Sequence, residues 1–263
     1  MIPRAYVTEW RDRAPWPSDE QVEQDLIITR TLVELFRRPQ IQQALAFRGG
    51  TALAKLYLAP AHRYSEDLDL VQIRAGPIGP TLNAMRETLD PWLGKPSWKR
   101  SHASVKLIYR LALGRDSASW RKLKLEINTR EHGSAFGLTE RQLSLESRWF
   151  AGSAEVSTYE LDELLATKLR ALYQRKKGRD LFDLATAHRV AEVNPERVVD
   201  GFVHYLSQQG LRISRMEFES NLARKVEDPD FVADVRPLVA KGTEFDVVAA
   251  ANRVVEDFIS RLD

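Results

Sequence analysis

The sequence predicts an α/β half followed by an all-helical half, with the boundary near residue 155, so that residues 1–155 and 156–263 form two domains. Two observations predict it. Stretches of two-residue alternation, the mark of half-covered strands, fall in the first half. From about residue 157 the apolar positions recur at helical spacing instead. The 263 residues, 43% of them hydrophobic, are enough for one large domain or two ordinary ones with real cores.

The elements follow in order. Ser18 with Asp19, Glu20 and Gln21 reads as a helix start, and Val22, Leu26, Ile27, Leu32, Leu35 and Phe36 continue at helical spacing to a stop near Pro39. After a second short apolar stretch, AFRGGTALAKLY reads as a strand end, a Gly-Gly turn and a helix carrying Ala52, Leu53 and Leu56. Asp67 to Ile73, DLDLVQI, is a strand. RAGPIGP at 74–80 is a loop, and a helix from about Thr81 to Leu89 ends before Pro91. VKLIYRLAL at 105–113 and RKLKLEIN at 121–128 largely alternate and read as strands. STYELDELLATKLRALYQR at 157–175 is a helix, a second starts near Asp180, and the tail from Pro195 onward reads as helical scaffold.

Composition removes several classes. The 39 Lys and Arg nearly cancel 37 Asp and Glu, so a net charge of +2 marks no general polyanion coat and any such contact must be local. There is no cysteine, hence no disulfide framework, thiolate metal site or thiol nucleophile. No apolar run is long enough to cross a bilayer or serve as a signal peptide, so no membrane partner and a cytoplasmic location are expected. His62, His102, His132, His188 and His204 show no zinc-ligand spacing, and the P-loop, dinucleotide and nucleophile-elbow motifs are missing.

What remains is a set of acids. On a strand, residues two apart share a face, so Asp67 and Asp69 project together while Leu68 and Leu70 pack on the other side. Two such anions repel unless a cation lies between them, and a hard divalent ion such as Mg²⁺, with Mn²⁺ as substitute, is the ordinary solution. A solvated polar strand face would give the same three letters. Upstream, Gly49, Gly50 and Thr51 end a strand and open a helix, offering backbone N–H groups and a favourable dipole to a phosphate; an ordinary turn with Thr51 as N-cap fits as well. In LKLEIN the alternation puts Lys124, Glu126 and Asn128 on one face. Three acids on two strands suit two-metal chemistry, with Glu126 as third ligand or general base.

In the helix at 157–175 the apolar stripe of Leu161, Leu164, Leu165, Leu169 and Leu172 has Lys168 in its middle. An ammonium there needs a partner, or a stem long enough to reach a wet pocket. Arg175 lies one heptad further along that face, and Asp180 suits the start of the next helix. Arg175, Lys176, Lys177 and Arg179 form the densest positive cluster, while Lys99, Arg100, Arg121, Lys122 and Lys124 add basic groups near the expected sheet. Either group could be a solvated face or a seat for an RNA backbone. Arg48 and Arg63 bracket the acidic motif.

Four blocks, FRGGTALAKLY, RYSEDLDL, LKLEIN and ELLATKLRALYQRKKGRDLFDLA, together resemble the AbiEii/AbiGii toxin family within the DNA polymerase β-like nucleotidyltransferase superfamily, over roughly residues 45 to 190. The gap between the glycines and D-x-D is longer than in many superfamily members, and Thr51 stands where others have a serine-type residue; both features agree with the narrower family. The resemblance implies a polymerase β-like α/β (α+β) core of mixed sheet and a helical domain closing the nucleotide cleft. It implies a metal-dependent nucleotidyltransferase toxin that moves NMP from an NTP to RNA, the tRNA 3′ end foremost, blocking translation and opposed by a separately encoded antitoxin. Asp67, Asp69 and Glu126 would hold the metal; Gly49, Gly50, Thr51 and Ser65 would contact phosphates. Lys168 would stabilise the triphosphate, Arg175 would add a phosphate or RNA contact, and Asp180 would orient Lys168 or the bound nucleotide. The rivals are a protein or small-molecule acceptor such as an aminoglycoside, and a non-catalytic nucleotide-binding module.

Overall fold

The computed structural model describes residues 2–112, 120–240 and 242–263, and the chain divides into two compact units. The first comprises Met1–Gly133 and Leu138–Tyr159, the second Ser134–Gly137 and Glu160–Asp263. Strand structure therefore runs a few residues past the expected boundary, and one tetrapeptide of the first half belongs to the helical unit.

The first unit is built on a mixed seven-stranded sheet. Its strands are β1 (Leu45–Arg48), β2 (Asp67–Gln72), β3 (Ser97–Arg100), β4 (Ser104–Ala112), β5 (Trp120–Asn128), β6 (Leu138–Glu146) and β7 (Ala151–Tyr159), in the order β3-β4-β5-β2-β1-β7-β6. β2 runs parallel to β5 and β1 parallel to β7; the other neighbours are antiparallel. The two alternating strands are found where expected, except that Leu113, the end of the expected 105–113 strand, lies outside the described residues. β3, β6 and β7 are additions to the expected set. β3 is exposed throughout and β6 buries only Leu143 and Leu145, so neither shows the alternation that marks a half-covered strand.

Alternation sorts the central strands into two faces. Leu68, Leu70, Val105, Leu107, Tyr109, Leu123, Leu125 and Ile127 are buried on one; Asp67, Asp69, Lys106, Lys122, Lys124 and Glu126 lie on the other. The unit's helices are α1 (Arg4–Trp10), α2 (Asp19–Phe36), α3 (Pro39–Gln42), α4 (Gly49–Ala52), which continues as a π-helix over Leu53–Tyr57, and α5 (Gly79–Leu93). α2 starts at the expected capping box, with Gln21 N–H donating to the Ser18 hydroxyl and Ser18 N–H to the Gln21 side chain. It is buried nearly all round, and its Asp25 accepts from Trp10 Nε1, Trp16 Nε1 and Lys55 Nζ at 2.8, 3.1 and 2.7 Å. α5 passes through Pro91, where a stop was expected. Pro91 sits in the last turn, and Gly94 at φ +79° makes the actual end.

The helical unit contains α6 (Leu161–Gln174), α7 (Gly178–Val190), α8 (Pro195–Ser207), α9 (Arg215–Val226), α10 (Pro229–Ala233) and α11 (Val247–Asp257). Leu164, Leu165, Leu169 and Leu172 form the buried stripe of α6 as the spacing predicts. α8 approaches α6 at Gly201, where a Cβ would stand 2.8 Å from that of Ala166 and 3.4 Å from the Phe136 ring. Ser134–Gly137 joins this unit through one carboxylate. Glu163, wholly buried on α6, accepts from Ser134 Oγ (2.7 Å), Ala135 N–H (2.7 Å), Phe136 N–H (3.1 Å) and the Tyr205 hydroxyl. Removing the carboxylate takes the shared acceptor from four donors, of which the Tyr205 hydroxyl is buried and the others partly so. Glu163→Ala is expected to destabilise the protein by about 3 kcal/mol or more, with Glu163→Gln losing less, read as shifts in the urea-unfolding midpoint.

Candidate active site

The sheet's pleat and register assemble the acids of the first unit. Asp67 stands opposite Lys124, and Asp69 opposite both Glu126 on β5 and Arg48 on β1. The strand spacing of about 4.8 Å sets these backbones side by side. The cation that two neighbouring carboxylates demand is supplied by the chain. Lys124 Nζ lies 3.0 Å from Asp67 Oδ2 and 3.5 Å from Glu126 Oε2. Glu126 is held further by Lys106 Nζ at 2.9 Å and by the Ser104 hydroxyl, which donates to Oε1 at 3.0 Å.

Protonation follows this wiring. Partial burial alone would lower Lys124 and raise Glu126, but the hydrogen bond and charge of Asp67, with the charges of Asp69 and Glu126, raise the Lys124 ammonium. Lys106, Ser104 and Lys124 together hold Glu126 below the ordinary carboxylate range. A carboxylate so held is a better ligand or anchor than proton acceptor. Burial opposes the charge of Arg48 too, yet Tyr159, Glu131 and Asp69 raise its pKa; its guanidinium donates to Glu131 at 3.0 Å.

Gly49 explains the glycine turn. Its φ of +83° is in the left-handed region, and a Cβ there would collide with Asp69 Oδ2 and lie 3.0 Å from Asp69 Cβ. Asp69 thus rests against bare backbone where β1 gives way to α4, and a helix leaves its first N–H groups unpaired at such a start. Thr51 is buried, its hydroxyl donating to the Asp67 carbonyl and sharing a hydrogen bond with the Ser65 hydroxyl at 2.8 Å. Both side chains therefore brace the start of β2, and their hydroxyls are engaged within the protein. Arg63, buried, donates to the Tyr64 carbonyl at 2.9 Å.

Among the described residues, no three His, Asp or Glu side chains converge closely enough to hold a metal ion. The donor set nevertheless fits a hard divalent ion: Asp67, Asp69 and Glu126 are all carboxylates on one face, and an ammonium already sits among them as a stand-in cation.

In the helical unit, Lys168 has the partners its place in an apolar stripe requires. It is 6% exposed, and Nζ lies 3.0 Å from Asp180 Oδ1 and 2.9 Å from Asp183 Oδ2. Asp180, in the first turn of α7, is also gripped by Arg175 through Nε at 2.7 Å and Nη2 at 2.8 Å. Burial alone would raise its pKa, but Lys168 and Arg175 hold it far below the ordinary range. The basic cluster is paired from within: Lys176 meets Asp228, while Lys177 (3.4 Å) and Arg179 (2.8 Å) share Asp234. Asp234 is thereby lowered to about 2, against burial. Nearby, Lys225 donates to the Leu172 and Tyr173 carbonyls at the end of α6, and burial lowers it to about 8. Ser104, Lys106, Asp183 and Asp234 were not singled out in the sequence, because each acts through a partner brought in by folding.

A mixed sheet with a glycine turn entering a helix, a D-x-D strand and a third acid on the adjacent parallel strand defines a nucleotidyltransferase of the polymerase β-like fold. Residues 30–251 match the family described as "Nucleotidyl transferase AbiEii toxin, Type IV TA system". The chain belongs to that family of toxin–antitoxin nucleotidyltransferases. Solved structures share the fold. MenT4, a nucleotidyltransferase toxin from Mycobacterium tuberculosis, is 20% identical with a TM-score of 0.68, covering 100% of this chain and 91% of its own. JHP933 from Helicobacter pylori is 19% identical with a TM-score of 0.53, covering 91% and 90%. A putative nucleotidyltransferase from H. pylori is 19% identical with a TM-score of 0.51, covering 91% and 93%. No curated protein matches in sequence. Among the described residues no helix is long and apolar enough to cross a membrane.

Three outcomes are expected. Gly49→Ala displaces Asp69 and lowers nucleotidyl transfer about a hundredfold, while the backbone strain costs only about 1–2 kcal/mol of stability. Lys124→Met removes a unit charge beside the carboxylates and tightens Mn²⁺ binding about tenfold, read by loss of the free-ion EPR signal. Asp180 and Asp234 both have folded pKa values below their ordinary 3.8. Their stabilisation is complete above that value; that of Asp234 is lost as pH falls from it toward about 2, and that of Asp180, held lower still, fades over the same window and beyond it. Urea-unfolding midpoints should drop across that window, and Asp234→Asn should flatten the drop.

Proposed function

We propose that this nucleotidyltransferase transfers NMP from an NTP to an RNA acceptor, foremost a tRNA 3′ end, with Mg²⁺ or Mn²⁺ as cofactor and a separately encoded antitoxin as partner. The observation that carries the reading is the composition of one sheet face. The carboxylates Asp67, Asp69 and Glu126 share it with Lys99, Lys106, Arg110, Lys122 and Lys124, as the register across β3, β4, β5 and β2 dictates. A metal-binding acidic centre bordered by cations suits a polyanionic acceptor and is ill suited to a cationic small molecule.

In this reading Asp67 and Asp69 hold the divalent ion, and Glu126, kept ionised by Lys106 and Ser104, serves as third ligand. When bound, that ion supplies orientation of the triphosphate and relief of charge at the reacting phosphorus. The acceptor hydroxyl oxygen bonds to the α-phosphorus, the bond to the β-phosphate oxygen breaks, pyrophosphate leaves, and the hydroxyl proton passes to solvent. The backbone of Gly49, Gly50 and Thr51 lies beside Asp69 as a phosphate cradle, with Ser65 bracing it. Lys168 is the helical unit's candidate contact to the triphosphate, with Arg175 beside it and Asp180 and Asp183 fixing its position. The test is incubation with Mg²⁺ and each α-labelled NTP in the presence of total tRNA or total cell protein. Label should appear on tRNA and vanish in the Asp67→Ala, Asp69→Ala double variant; label on protein alone overturns the RNA acceptor and keeps the chemistry.

A further inference from the structure

The basic face of β4 and β5 has an order that the site itself does not require. Cross-strand pairing sets Lys106 opposite Glu126, Ile108 opposite Lys124, Arg110 opposite Lys122 and Ala112 opposite Trp120. β3 adds Lys99 opposite Lys106. Because alternate residues share a face, Trp120, Lys122, Lys124 and Glu126 form one line leading along β5 to the carboxylates, flanked on β4 by Arg110 and Lys106. Arg100 and Arg121, which the sequence grouped with these cations, fall on the opposite face by the same alternation.

The cations differ in what they have to spend. Lys106 and Lys124 are bound to the carboxylates. Lys99, Arg110 and Lys122 are exposed and form no ion pair among the described residues. In the helical unit, by contrast, Arg175, Lys176, Lys177 and Arg179 are each paired with an aspartate. At the far end of the line Trp120 is 59% exposed, an indole held on a rigid strand with a large apolar area in water. Six residue steps along the strand separate it from Glu126, about 20 Å, enough for a few nucleotides. Exposed cations at regular steps, ending in an aromatic platform on an open sheet face, are the two components by which proteins hold an unpaired strand: charge for the backbone, stacking for a base.

We infer that this face of β4 and β5 is the track for the single-stranded end of the acceptor RNA, with its backbone on Lys99, Arg110 and Lys122 and a base stacked on Trp120. The strand then runs toward Asp67, Asp69 and Glu126 with its terminal hydroxyl leading. The inference rests on the RNA-acceptor reading above and adds where, and in what form, the RNA is held. A duplex cannot use Trp120 in this way, since its base faces are already stacked on one another.

The test is fluorescence anisotropy of a short 5′-fluorescein-labelled single-stranded RNA across a series of NaCl concentrations, with circular dichroism confirming that each variant is folded. Arg110→Gln with Lys122→Gln should weaken binding at least tenfold and reduce the slope of log K against log salt by about 1.4, at about 0.7 for each phosphate no longer neutralised. Trp120→Ala should weaken it about tenfold, with Trp120→Phe retaining most of the affinity; Lys176→Gln with Lys177→Gln should change nothing. RNA binding that survives the Arg110, Lys122 and Trp120 changes but falls with Lys176 and Lys177 overturns the track and leaves the RNA reading standing. No RNA binding by the unaltered protein, with label transferred to protein in the assay above, overturns both.

Discussion

Three carboxylates placed side by side on adjacent strands repel one another, and the strands around them supply the positive charge that offsets that repulsion. The register of β2 against β5 brings the anions together, and the register of β5 against β4 brings the lysines that balance them. Lys124 and Lys106 leave a net charge of about one negative on the cluster, since three acids meet two bases. The apolar reverse of the same strands, from Leu68 to Ile127, carries the core. One alternation therefore supplies both the core and the charged face.

The helical unit solves the same problem in a drier setting. Lys168 lies between two aspartates, and Asp180 between Lys168 and Arg175. Each charge in this chain depends on the next, so removing one member leaves the others buried and unbalanced. A network of that kind fixes the geometry of Lys168 more than it adds stability.

How far the sequence could be read depended on whether the signal was local. Asp67 and Asp69 were legible because a period of two belongs to a single strand, and Lys168 because a cation in a leucine stripe implies a partner. Gly49 was legible as a turn but not as the surface Asp69 rests on, since that contact joins residues twenty apart. β6 escaped notice because most of its side chains face solvent and leave no alternation to detect, and the end of β7, Ser157–Tyr159, was read as the start of the helix that begins at Leu161. The run from Arg175 to Arg179 looked like the densest positive cluster in the chain, yet Asp228 and Asp234, some fifty residues on, pair with three of its four cations. The weaker-looking cations of β4 and β5 acquire their meaning only from strand pairing.

The carboxylate of Glu163 ties Ser134–Gly137 into the helical unit although the chain then returns to the sheet for β6 and β7. The polypeptide therefore visits the helical body twice, and no single cut divides the gene into two self-sufficient pieces. A fragment beginning at Glu160 would carry the acid without three of its four donors, so anyone seeking to express, transplant or recombine the helical body must graft the tetrapeptide with it.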